Sequence, residues 1–130
     1  MQENIPPDTL NEIGVLKRRE IEARIIAPLV EAFAAEFGRD RVIQIAARVI
    51  VKIARQQGRA LADQMGGNGL THFVQSKENW VKGGALETEV VQLTDTAYDF
   101  NVTRCRYAEM YRALGIPELG AVLSCGRDYA

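Results

Sequence analysis

The chain has 130 residues, 47% of them apolar and 25% charged, which suits one globular domain and is too little for two comfortable ones. Sixteen Lys and Arg against seventeen Asp and Glu leave a net charge of −1, which argues against a dedicated nucleic-acid binder and gives no reason for docking on an anionic membrane. The longest nearly apolar stretch, around residues 42–54, is broken by Gln44, Arg48 and Lys52, and it falls short of the roughly 20 residues a bilayer span needs. No basic region followed by an apolar run opens the chain, and two cysteines are too few for a disulfide scaffold. The expectation is a cytoplasmic protein with two free thiols.

Pro7 holds back helix formation, and Asp8 or Thr9 can cap a first helix. Along it Leu10, Ile13, Leu16, Ile21, Ile25, Leu29, Phe33 and Phe37 recur at three- to five-residue spacing, an apolar stripe on a charged helix. Pro28 inside this pattern removes a backbone donor and predicts a kink or a split near Ala27. Gly38 ends the segment. A second helix is expected from Asp40, as cap, to about Met65, with Val42, Ile45, Ala46, Val49, Ile50 and Ile53 on a broad apolar face. The run Gly66-Gly67-Asn68-Gly69 breaks it, and a shorter helix over 70–82 carries Phe73, Val74, Trp80 and Val81 up to Gly83-Gly84.

After Gly84 the period changes. Leu86 to Leu93 reads as a strand, Thr94-Asp95-Thr96 as a turn, and Tyr98, Phe100 and Val102 alternate with polar residues as a second strand. A helix follows from about Arg106 to Leu114, stopped by Gly115, and Pro117 is placed to open another short one. The fold class is α+β: N-terminal helices packed on a small antiparallel sheet, with further short helices at the C-terminus. A two-stranded hairpin alone is marginal in water. Its completion is expected either from the helices and a partner subunit or from chain beyond residue 130. The wide apolar helix faces and the free hairpin edges point to a homo-oligomer.

Polar chemistry is densest in the last third. Cys105, where strand passes into helix between Arg104 and Arg106, admits two readings: a thiolate favoured by the helix dipole and the neighbouring cations, or a small buried packing residue. Cys125 stands beside Gly126, with Asp128 able to act as base or hydrogen-bond partner and Arg127 able to fork onto a carboxylate. The other reading of that segment is a helix-terminating turn facing solvent. His72, the only histidine, follows the glycine run at a helix start, where it is either an anion-side acid–base group or a packing residue. The glycine run follows a helix and has no Lys-Ser or Lys-Thr after it, so it does not match a phosphate or dinucleotide loop, and no cofactor is expected. Cys105, Cys125, His72 and Asp128 lack zinc-ligand spacing, so no metal site is assigned. Glu20, Glu22, Glu31 and Glu36, interleaved with Lys17, Arg18, Arg19 and Arg24, read as a solvated helix face.

The stretch Phe100-Asn101-Val102-Thr103-Arg104-Cys105-Arg106-Tyr107-Ala108-Glu109, then Leu114-Gly115 and Leu123-Ser124-Cys125-Gly126-Arg127-Asp128, resembles the L-2-amino-thiazoline-4-carboxylic acid hydrolase family. Ile21-Glu22-Ala23-Arg24 with Pro28-Leu29 is similar to that family's N-terminal helix. The resemblance implies a hydrolase that adds water at the carbon between nitrogen and sulfur of a small cyclic amidine, amide or thiazoline and yields a carbamoyl-cysteine product. It implies catalytic roles for Cys125 or Cys105 as thiolate and Asp128 as proton carrier. Arg104, Arg127 and His72 are then the substrate-binding residues, an arginine holding the substrate carboxylate. Members usually continue with another strand segment, so residues 1–130 are expected to form one domain lacking a C-terminal strand of the natural protein. The alternative from another class is a small-ligand-binding or assembly protein that keeps the fold without turnover.

Overall fold

A computed structural model describes residues 5–130. A 3-10 turn, Leu10–Ile13, precedes the first long helix, and the Asp8 carboxylate caps it by accepting the Leu10 N–H at 3.0 Å. Gly14 then takes φ +96°, a left-handed conformation that suits a residue without Cβ, and α1 (Val15–Phe37) begins only after it. The helix therefore starts later than the Asp8–Thr9 cap suggests. It also runs unbroken through Pro28: proline withdraws the donor that the Arg24 carbonyl would accept, yet its ring lies on an exposed face and the flanking turns continue.

Gly38, at φ +91°, alone separates α1 from α2 (Arg39–Met65), and α2 ends on left-handed Gly66. The buried face of α1 is Val15, Arg19, Ala23, Ala27 and Val30. Small alanines there let α2 and the C-terminal helices approach closely. The bulkier stripe at Ile21, Ile25, Leu29, Phe33 and Phe37 is left 49–67% exposed.

The third helix, α3 (Leu70–Val81), backs the hairpin formed by β1 (Leu86–Leu93) and β2 (Tyr98–Cys105). Lys77, only 8% exposed, reaches across to donate to Thr88 Oγ1 at 3.0 Å and to the Tyr98 hydroxyl at 2.6 Å. Its ammonium lies 4.0 Å from the centre of the Phe100 ring, and Phe73 packs edge-on against both Trp80 and Tyr98. The strands are antiparallel, with Leu86 opposite Cys105, Val90 opposite Phe100 and Leu93 opposite Tyr98, and two irregularities shift the register between. Thr94 Oγ1 closes the turn by accepting the Thr96 and Ala97 N–H groups. Leu86, Thr88, Tyr98 and Phe100 are partly covered, whereas Val90, Val91, Leu93 and Val102 face water.

α4 (Arg106–Ala113) and α5 (Pro117–Leu123) complete the order, followed by a 3-10 turn at Cys125–Tyr129. Pro117 occupies the first turn of α5, as expected. The Tyr107 hydroxyl donates to the Trp80 carbonyl at 2.8 Å and ties α4 to the end of α3. Gly120 faces the Tyr111 ring so closely that a Cβ has no room, which draws α5 onto α4. The core of Val15, Ala23, Ala27, Val30, Ile50, Tyr107, Tyr111, Leu119 and Leu123 lies where α1 and α2 meet these last helices. The architecture is α+β, as the change of period implies.

Candidate functional site

Where α5 ends, the chain folds back as the Cys125–Tyr129 turn against α2, and this brings Arg127 onto α1. The Arg127 side chain is 12% exposed. Its Nε donates to the Leu123 carbonyl at 2.7 Å, one terminal nitrogen donates to Gln57 Oε1 at 3.0 Å, and the other stands 3.7 Å from Glu22 Oε2. Glu22 also accepts from Arg19 at 2.8 Å and from Arg18 at 3.3 Å. Arg18 forks onto Asp8, with contacts of 2.7 and 3.0 Å, and touches Asn11. Under the turn, the Tyr111 and Ser124 hydroxyls lie 2.6 Å apart.

Three guanidiniums (Arg18, Arg19 and Arg127) thus share two carboxylates (Asp8 and Glu22), leaving one positive charge in excess. The strain falls on Arg127. Burial, then the like charges of Arg19 and Arg18, bring its pKa down to about 10 against the opposing pull of Glu22. It remains a cation at neutral pH, and a bound anion would relieve it. Burial raises the Asp128 carboxyl above its ordinary value. The hydrogen bond from Arg18 is the main cause that holds Asp8 below its ordinary value.

Cys125, Arg127 and Asp128 therefore share one turn, with Cys125 exposed at its start. Cys105 lies elsewhere in the fold, half-buried at the junction of β2 and α4, where it packs against the core. Arg104 is exposed on the hairpin, 3.2 Å from Glu109 and 4.0 Å from Glu87, so its charge is already matched. His72 closes the glycine loop: its Nδ1 accepts the Gly69 N–H at 3.1 Å, and its ring fills the space above Gly67. No hydrogen bond or ion pair joins Arg104 or His72 to the C-terminal turn among the described residues.

Arg18, Arg19 and Glu22 are not a solvated face. Arg19 is 6% exposed, because it falls on the four-residue row Val15, Arg19, Ala23, Ala27 that turns inward. That row of small residues around one arginine was the signal in the sequence. Gln57 carried no signal of its own.

Among the described residues no group of three or more His, Cys, Asp or Glu is placed to hold a metal ion, and no helix is long and apolar enough to cross a membrane. No curated protein and no solved structure gives a significant match to the chain. A family model does match: it covers residues 18–130, nearly the whole chain, from Arg18 of the buried cluster to the end of the C-terminal turn, and by it the chain belongs to the L-2-amino-thiazoline-4-carboxylic acid hydrolase family.

Proposed function

We propose that this member of the hydrolase family opens a small ring of the 2-amino-thiazoline-4-carboxylate type by addition of water, at a site built on the C-terminal turn. The observation that carries the reading is Arg127: a guanidinium drawn out of water, crowded by two others and short of one negative charge. A substrate carboxylate supplies that charge, and the planar fork can meet it with two hydrogen bonds.

With the carboxylate held there, the ring presents its amidine carbon to the same turn. Cys125, exposed and two residues from Arg127, adds as thiolate to the carbon between nitrogen and sulfur. The carbon–sulfur bond of the ring breaks, and the departing sulfur takes a proton from Asp128. This leaves the opened substrate bound to Cys125 as an isothiourea. Water then adds to that carbon, gives a proton back to Asp128, and expels the Cys125 thiolate. The product is the carbamoyl-cysteine, one water richer than the substrate. Asp128 receives the proton that the Cys125 thiol gives up as it attacks and passes it to the departing sulfur, a carrier's role that its raised pKa suits.

The test is hydrolysis of L-2-amino-thiazoline-4-carboxylate by the full chain, followed through loss of the ring absorbance. Cys125→Ser is expected to lower kcat by about 10³-fold or more, with the substrate still bound. Retained turnover in Cys125→Ser together with its loss in Cys105→Ser would move the nucleophile to the strand–helix junction. Saturable binding without product in the unaltered chain would instead identify a ligand-binding protein of this fold.

A further inference from the structure

On the side of α1 away from the core, Ile21, Ile25, Leu29, Phe33 and Phe37 follow one another at four-residue spacing and are all 49–67% exposed. Residues at this spacing form a single ridge, the kind that interlocks with an equivalent ridge in the commonest helix-to-helix crossing. Phe33 and Phe37 also line a shallow groove of about 470 Å³ with Arg41, Val42 and Ile45 of α2, and Val49, one turn beyond Ile45, is exposed as well.

At about half exposure these seven side chains (five on α1, with Ile45 and Val49) leave on the order of 700 Å² of apolar surface in water. Soluble monomers carry roughly 300–600 Å² in their largest patch, while a stable interface takes about 800 Å² from each partner. The patch has the size of half an interface.

We propose that this face binds a second copy of the chain, the two α1 ridges lying antiparallel about a two-fold axis near Leu29. The helix dipoles set the direction: the antiparallel arrangement lays the Ile21–Ile25 end of each ridge, towards the positive end of its helix, against the Phe33–Phe37 end of the other, at the negative end, and the parallel arrangement sets like ends together.

Sedimentation equilibrium of the full chain over a wide concentration range tests the interface, and site-specific cross-linking tests its direction. The unaltered chain is expected at twice the chain mass. Leu29→Glu is expected at the chain mass with its circular dichroism unchanged, because Leu29 is 51% exposed in the single chain and supports none of its core. In a Cys125→Ser background, Leu29→Cys is expected to form a disulfide-linked dimer under mild oxidation, and Ile21→Cys is not. A monomeric unaltered chain, or a dimer indifferent to Leu29→Glu, overturns the interface. Cross-linking through Ile21→Cys but not Leu29→Cys overturns the antiparallel arrangement.

Discussion

At its N-terminal end α1 lies beneath the C-terminal turn, and Arg19 and Glu22 are drawn largely out of water there. At its other end Phe33 and Phe37 have only the first turns of α2 beside them, and half or more of each ring is exposed. The more polar end is the better buried. Cover decides burial here, and residue type comes second: the turn that brings Arg127 down onto Glu22 closes one end, and among the described residues of the single chain nothing closes the other. Burying the charged end is tolerable because each of the three guanidiniums there donates to at least one acceptor. The one charge left unmatched is what an anionic ligand can use.

The sharpest way to break this contrast is to remove its central carboxylate. Glu22→Gln leaves Arg19 and Arg127 facing each other without their shared anion, in a site where water screens them poorly. We expect a loss of about 2–3 kcal/mol, below the full penalty for an ion pair wholly out of water because Glu22 keeps some contact with solvent. Thermal unfolding should report it as a fall in Tm of roughly 8–12 °C. A fall under about 2 °C would mean that the cluster is a surface network and that the two ends of α1 differ less than their geometry implies.

A smaller effect separates Asp8, at the edge of the cluster, from Asp128, on the C-terminal turn, because their pKa values move in opposite directions. Asp128 is raised above its ordinary 3.8, so its ionised form costs stability at neutral pH, and that cost fades as pH falls through the folded-state value toward 3.8. Asp8 is lowered from 3.8, so it contributes stability above that pH and loses it as pH falls from there through its own folded-state value. Asp128→Asn should therefore raise Tm at pH 7 and Asp8→Asn should lower it, the latter by a few tenths of a kcal/mol at so exposed a pair. Both differences should vanish in acid. Parallel changes of one sign would remove the electrostatic account of the turn.

The elements were legible wherever glycine or proline punctuates the chain. Gly38, the run from Gly66 to Gly69, Gly83-Gly84, Gly115 and Pro117 bound α2 to α5 and the hairpin within a residue or two of their expected limits. Gly14 escaped notice because its role is conformational, a positive φ inside an otherwise helical pattern. The kink expected at Pro28 did not break the helix, since losing one backbone hydrogen bond on a solvent-facing turn leaves the remaining ladder intact. The inward face of α1 was hidden for a related reason: periodicity weights bulky residues, whereas close helix packing selected Ala23 and Ala27. Within the site, the spacing of Cys125, Arg127 and Asp128 already placed them together, because three residues of one turn need no tertiary information. The partnership of Arg127 with Glu22 and Gln57 spans 105 and 70 positions of the chain and becomes visible only once α1, α2 and the turn are packed.

The most direct test of the central claim compares two substrates on one variant. The unaltered chain and Arg127→Met are each assayed with L-2-amino-thiazoline-4-carboxylate and with the ring lacking its carboxylate. If Arg127 holds the substrate carboxylate, the variant loses about 10²-fold in kcat/KM on the carboxylate substrate, chiefly through KM, and turns over the carboxylate-free ring as the unaltered chain does. An equal fall on both substrates, or no fall on either, would contradict it.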